Sequence, residues 1–409
     1  MAVARLTFIG VGALNAVLVT MLAARWSRRA AVAGGVLYAG WAAAVYGEQS
    51  TLLEPLGTTA LLVALLLLLR RPNPPTGRAD AIAGLALGLA ATVKIWYVAP
   101  WAAVVLWQLA ARRLRSAGRI VTAGAAALVV VLTPFLVLAR GRMVDMVVRD
   151  QLLRPAAAPP AVKKWGSIFG VEPFLGHPPE SVVPILVAAA LLALALVRCA
   201  RDTDGRVLVW VFLVDLAVLA ASPSYFAHYS ELTAAPMAAV VAVGAGRRVH
   251  RARRRRWVPD VVVALLVVAM LASAGVVAST PQGRTFAAAR FAAAAPSGCV
   301  ASDDPQILIQ MDRLSHDLAT GCRVEVDVTG TTYDRLNRRR ADGTPVPRQD
   351  NLAFQRFLRG YLLSADSFVV ARRKGDAMPP RLFRELARQP ELARSGRLVL
   401  RAGLGALGR

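Results

Sequence analysis

The sequence predicts an α-helical polytopic membrane protein of about ten spans with a C-terminal extracytoplasmic α/β domain. Three observations predict it. The 409 residues are 56% hydrophobic with a mean hydropathy of +0.49, too apolar for an ordinary soluble enzyme. Runs of about 20 apolar residues recur before residue 280, and that length crosses a bilayer as a helix. After about residue 280 the chain turns polar and shows alternating strand and helix signals.

In chain order the predicted spans are 4–24, 30–47, 53–70, 79–93, 95–111, 119–139, 182–198, 207–222, 229–246 and 257–279. Arg25, Arg28 and Arg29 follow the first span, so the N-terminus does not read as a signal peptide, whose charge precedes its apolar run. Between the second and third spans, "YGEQSTLLEP" carries Glu48 and Glu54. The fourth span, "ADAIAGLALGLAATV", is short and places Gly84 and Gly88 four apart, a spacing that suits close helix packing. With the fifth it forms a tight hairpin whose tip is Lys94. Asp215 sits in the middle of the eighth span and calls for a polar partner.

Loop charge sets the orientation. Loops assigned to the inside carry 20 Lys and Arg, those assigned to the outside 7. The positive-inside rule then puts Glu48, Glu54, Lys94 and the segments before the seventh and ninth spans outside. The net charge of +24 comes largely from these loop arginines, which argues against nucleic-acid binding. Three cysteines supply neither a zinc ribbon nor an iron–sulfur cluster.

The boundary falls at residues 1–279 for the membrane domain and 280–409 for the outer domain. In the latter, "CVAS", "CRVEVDV", "SFVVARR" and "GRLVLRA" read as strands. "PQILIQMDRLSHDLA", "AFQRFLRGYLL" and "PPRLFRELARQ" read as helices, which together imply a mostly parallel sheet. Cys299 and Cys322 open two of the strands, and an oxidising exterior favours a disulfide between them; the other reading is two buried thiols.

The outer groups are of the kinds that hold an anionic, lipid-linked substrate. Lys94, Arg149 and Arg154 are cations suited to phosphate. Glu48 and Glu54 are carboxylates able to orient or deprotonate a hydroxyl. Gln151, His228 and Tyr229 add hydrogen-bonding groups. Structural readings stand beside each: Glu54 as a charge at a helix N-terminus, Lys94 snorkelling to headgroups, Arg149 and Arg154 on anionic lipid, His228 as an interfacial donor. The stretch 142–153 is also compatible with an amphipathic surface helix.

Four stretches resemble the GT-C superfamily of membrane glycosyltransferases over roughly residues 1–280: "YGEQSTLLEPLGTTALLVALLLLL", "GLALGLAATVKIWYVAPWAAVVLW", "MVVRDQLLRP" and "YFAHYSELTAAPMAAVVAVG". The mannosyl- and arabinosyltransferases of actinobacterial envelopes are the most similar type. The resemblance implies a multi-pass protein of the bacterial plasma membrane. It also implies an enzyme that moves a mannose- or arabinose-like sugar from a polyprenyl-phosphate donor to a membrane lipid or envelope glycan outside. It matches Glu54 to the acidic residue of the second outer loop, with Glu48 in support, and Lys94, Arg149 and Arg154 to the donor phosphate. It names no certain cofactor and leaves a divalent metal open. Family members begin with an inside-to-outside helix and a long acidic outer loop. The first span here fits their second, so the sequence is expected to be a fragment or to have a misassigned start.

Two rival classes stand against an enzyme. A transporter or flippase for lipid-linked sugars calls for inverted internal repeats, and none is evident. A catalytically silent membrane partner is compatible with the lack of the first acidic loop.

Overall fold

The structure is a computed structural model that describes residues 2–69, 77–144, 147–148, 159–172, 182–222, 225–246, 268, 271–272, 274–279, 286–325, 327–328, 336, 338–344, 346–370 and 378–405. The chain divides into two compact units. The first holds residues 1–140 and 156–283, the second 141–155 and 284–409. The segment after the sixth predicted span falls in the second unit. At this break Arg140 takes a left-handed backbone (φ +51°), which ends the preceding helix.

Among the described residues the first unit is built of helices. Its helices are α1 (Ala2–Ala23), α2 (Arg28–Ala39), α3 (Ala42–Gln49), α4 (Glu54–Leu68), α5 (Gly77–Val93), α6 (Val98–Ala110), α7 (Leu114–Ala139), α8 (Ala161–Ile168), α9 (Val183–Ala200), α10 (Gly205–Ala221) and α11 (Glu231–Gly246). Each predicted span between residues 4 and 246 has a helical counterpart here. Among the described residues, however, only α1, α7 and α9 are long and apolar enough to cross a membrane alone. The second predicted span is a broken one, α2 and α3 meeting at 54°. Its first half ends on the Gly40 cap and α3 restarts after Trp41. With that bent pair taken as one span, up to four such spans are present among the described residues. The fourth predicted span, α5, has 17 residues and so reaches only about 25 Å. Of the predicted tenth span, only 268, 271–272 and 274–279 are described, and they are helical.

Small residues determine how closely these helices pack. A Cβ on Gly84 would stand 2.5 Å from the Ile120 carbonyl oxygen, and one on Gly88 would stand 2.3 Å from that of Gly124. The Gly84/Gly88 face therefore brings α5 into backbone contact with α7, a packing role. The buried core around them includes Leu22, Leu37, Leu61, Leu65, Leu87, Val104 and Phe212.

The second unit is a four-stranded sheet with helices. Its elements are α12 (Ala288–Ala294), β1 (Val300–Ser302), α13 (Pro305–Gln310), α14 (Leu314–Ala319), α15 (Leu352–Ser364), β2 (Ser367–Val369), α16 (Pro380–Ala387), β3 (Glu391–Ser395) and β4 (Leu398–Ala402). Strand order is β1-β2-β4-β3. Only β1 and β2 run parallel, in the register Val300↔Ser367; β4 lies antiparallel to both β2 and β3. The expected mostly parallel sheet is thus corrected to a mixed one. The reason is local: β3 and β4 are joined by a tight hairpin through Gly396 at φ +55°, which leaves no room for a crossover. The sequence reading missed β3, whose polar "ELARS" lacks a strand pattern.

The predicted strand at "CRVEVDV" is also absent among the described residues. Cys322 is instead joined by a disulfide to Cys299, with Cα atoms 5.6 Å apart, and its amide bonds back to Asp317 O at 2.8 Å, closing the end of α14. Phe354, Leu358, Leu362 and Phe368 form one apolar cluster with α16. Phe291, Ile307, Leu308 and Leu400 form another.

Candidate functional site

Glu54 is the first residue of α4. Pro55 at the first turn pre-sets the helical φ there, and the acidic side chain is favoured at a helix N-terminus. The turn that presents it is strained. Thr51 adopts φ +54°, unusual for a β-branched residue and costly by roughly 1–2 kcal/mol. Such strain gathers at functional sites and persists only when the surroundings over-determine it.

Here the surroundings are specific. The Tyr97 hydroxyl donates to the Glu54 carbonyl at 2.7 Å and shares a 2.9 Å hydrogen bond with Thr58. Gly57 gives the Tyr97 ring its place, since a Cβ there would stand 2.2 Å from it. Asn15 on α1, fully buried, donates to the Pro55 carbonyl at 2.9 Å and accepts from Thr59 at 2.7 Å. Tyr38 receives Asn15 at 3.3 Å and reaches the Glu48 carboxylate at 3.5 Å.

The Glu54 carboxylate is 3% exposed, yet two groups converge on it. Lys94, which ends α5 in an extended conformation, donates its ammonium to Oε1 across 40 residues of sequence. His228 Nε2 stands 3.6 Å from the same oxygen. The Lys94 ammonium also lies 4.4 Å from the centre of the Tyr229 ring, a cation–π contact. His228 meets Tyr229 edge-on at 4.7 Å, and Trp96 tilts against Tyr229 at 5.8 Å. A charge pair with little water around it costs desolvation, so its retention among aromatics points to use rather than to stability.

Of the residues predicted from sequence, the structure therefore brings together Glu54, Lys94, His228 and Tyr229. Glu48 belongs to α3 rather than to a free loop, and its carboxylate rests where a Cβ on Gly12 would stand 2.0 Å away. Its hydrogen-bond partner is Tyr38, so it supports the framework and does not touch Glu54. Arg149, Gln151 and Arg154, with the amphipathic stretch around them, lie outside the described residues.

One residue emerges that sequence reasoning left out of the site. Glu231, at the start of α11, is fully buried, and neither carboxylate oxygen has a hydrogen-bond partner among the described residues. It lies against Gly47, where a Cβ would stand 2.0 Å from its Oε2, and within electrostatic reach of Glu54, Glu48 and Lys94. Its position three residues past His228 was the available signal. Asp215 in α10 is likewise buried without a hydrogen-bond partner among the described residues. Among the described residues no three His, Cys, Asp or Glu side chains are placed to hold a metal ion.

No family model matches the sequence, and no curated protein matches it significantly. Solved structures do match in fold. The chain is similar to the crystal structure of ArnT from Cupriavidus metallidurans bound to undecaprenyl phosphate. The TM-score is 0.60 at 15% identity, over 98% of this chain and 83% of that one. It is similar also to the same protein in the apo state, with TM-score 0.58 at 16% identity, over 98% and 84%. The apolar helices and this shared architecture make the chain a helical membrane protein with an ArnT-like fold.

Proposed function

We propose that the chain is a membrane glycosyltransferase of GT-C type that takes its sugar from a polyprenyl-phosphate donor. The single observation carrying this reading is the buried Glu54–Lys94–His228 cluster, set on the fold of a protein crystallised with undecaprenyl phosphate. The chemistry of the cluster fits. The Lys94 ammonium, now held by Glu54, binds the donor phosphate when it arrives and stabilises the charge that grows as the sugar–oxygen bond breaks. Exchange of Lys94 onto phosphate releases the Glu54 carboxylate, which takes the proton of the acceptor hydroxyl as that oxygen bonds to the anomeric carbon. A single displacement of this kind inverts the anomeric centre. His228 holds Glu54 in orientation, and Tyr229 keeps the ammonium in place.

The finer points belong to the same proposal. The spans number ten, the cluster and the second unit face the outside of a bacterial plasma membrane, and the membrane and outer domains divide near residue 280. The sugar is mannose- or arabinose-like and the acceptor is a lipid or glycan of the envelope. The sequence resemblance assigns Arg149, Gln151 and Arg154 to the donor as well. The loop-charge bias and the resemblance of the four sequence stretches support these points.

The test is transfer of labelled sugar on membranes containing the full chain, with polyprenyl-phosphate mannose and polyprenyl-phosphate arabinose as donors. Wild type transfers from at least one, and Glu54→Gln does not although its membrane insertion is normal. Equal transfer by both proteins would remove Glu54 from the chemistry. No transfer from either donor favours a transporter or a silent partner.

A further inference from the structure

Phe226 stacks on His228 with ring centres 5.8 Å apart and planes inclined by 20°, and it also lines a cleft of about 410 Å³. The opposite wall of the cleft is α8. That helix is anchored: the Lys164 ammonium donates to the carbonyls of Ala220 at 2.9 Å and Ser222 at 3.5 Å. The floor is a hydroxyl chain. Ser167 bonds Ser230 at 3.0 Å and the Ala227 carbonyl at 3.3 Å, and Tyr225 bonds the same Ser230 hydroxyl. At the rim Lys163 faces Glu172 with 3.6 Å between ammonium and carboxylate. Of these groups, Phe226 and Tyr225 touch the cluster at Glu54, through the rings of His228 and Tyr229.

We propose that this cleft, which adjoins the Glu54 cluster through the Phe226–His228 stack, is an acceptor subsite that takes a polyhydroxylated carbohydrate. The inference rests on the glycosyltransferase reading and adds the acceptor's chemical class to it. Three features of the cleft select that class. Its size falls in the range that encloses a small-molecule ligand. The Phe226 ring is 39% exposed and offers a flat apolar face to the C–H face of a sugar ring. The rim pairs a cation with a carboxylate, so it provides donor and acceptor side by side without the net positive charge that a second phosphate would need. His228 stacks on Phe226 and stands 3.6 Å from Glu54, so one ring links the cleft to the cluster.

The source of the carbohydrate is either a free glycan or the headgroup of a glycolipid, and two probes distinguish them. The full chain in lipid nanodiscs is titrated with α-1,6-mannobiose, with octyl mannoside and, separately, with undecaprenyl phosphate, using saturation-transfer NMR for the saccharides. Phe226→Ala and Glu172→Gln each weaken binding of both saccharides by about tenfold, while affinity for undecaprenyl phosphate changes less than twofold. Octyl mannoside bound more tightly than mannobiose identifies a lipid-linked acceptor; equal binding identifies a free one. Glu172 is only partly buried, so its variant carries the test if Phe226→Ala fails to fold.

The proposal is overturned if wild type binds neither saccharide, if both variants bind them as wild type does, or if undecaprenyl phosphate weakens equally. Saccharide binding that depends on Phe226, without transfer from any polyprenyl-phosphate sugar, removes the transferase reading and keeps the carbohydrate site. Transfer with an unchanged acceptor KM in the variants removes the cleft alone.

Discussion

Two buried carboxylates in the first unit each face a cation on a neighbouring segment, yet their surroundings differ. Asp80, on α5, is 1% exposed and lies 3.6 Å from the guanidinium of Arg119 on α7. The same two helices meet at the glycine-lined contact of Gly84 and Gly88. Arg119 is half exposed, so it keeps much of its hydration. Glu54 has a similar degree of burial but meets Lys94 and His228, which pack on Tyr229, and Glu231 lies within electrostatic reach of it with no hydrogen-bond partner among the described residues. Asp80 has the one ion pair with Arg119 as its counter-charge, and neither of its oxygens has a hydrogen-bond partner among the described residues. A carboxylate ringed by several ionisable groups on a strained turn is arranged for a reaction.

Paired substitutions are the sharpest way to break this contrast. Glu54→Gln lowers the rate of sugar transfer by about a hundredfold or more, the scale of a lost proton acceptor, whereas Asp80→Asn leaves it within about threefold. Equal losses in the two variants would mean that burial, and not the cluster, is what matters at Glu54. Removal of the disulfide by Cys299→Ser with Cys322→Ser lowers the stability of the second unit by about 3 kcal/mol. That is the scale for the 23-residue separation it closes, and it is read by urea unfolding followed by proteolysis. Transfer by the first unit's cluster is the accompanying control.

A smaller effect tests the packing side of the comparison. Gly88→Val forces α5 away from α7 and costs about 1–3 kcal/mol in thermal unfolding of the detergent-solubilised protein. The aspartate end of that interface follows, and Asp80→Asn becomes less well tolerated in the Gly88→Val background. At the other end of the scale, Tyr229→Leu removes the ring under Lys94 and costs about 0.5–1 kcal/mol of ammonium positioning, seen as a several-fold rise in donor KM. Tyr229→Phe, which keeps the ring, stays close to wild type; a full loss in Tyr229→Phe would shift the role from ring to hydroxyl.

Much of the helical layout is legible in the sequence. Apolar runs of the right length yield helices because an apolar segment must satisfy its own backbone hydrogen bonds. Lys94 and Glu54 were identifiable as charges beside such runs, where they are costly and so informative. Other features were not legible. Nothing in "VYGEQ" says that Glu48 turns toward Tyr38 while Glu54 turns toward Lys94, because that choice depends on which helix packs alongside. Glu231 read as one more polar residue after "AHYS", and only the close approach of Gly47 leaves it buried. The bend between α2 and α3 has no proline to announce it, and the polar "ELARS" becomes a strand only because β4 pairs with it.

By itself the sequence determined where the chain is helical, where its loop charges collect, and which residue types were available for chemistry. Those properties follow from local composition and period, which act within a turn or two of the chain. The tertiary structure alone decided that Glu54, Lys94, His228 and Tyr229 share one site. It also decided that Gly12, Gly47 and Gly57 make space for the groups around that site, and that the cleft beside Phe226 exists. These are contacts between residues distant in sequence, set by packing and desolvation across helices, and no local pattern encodes them.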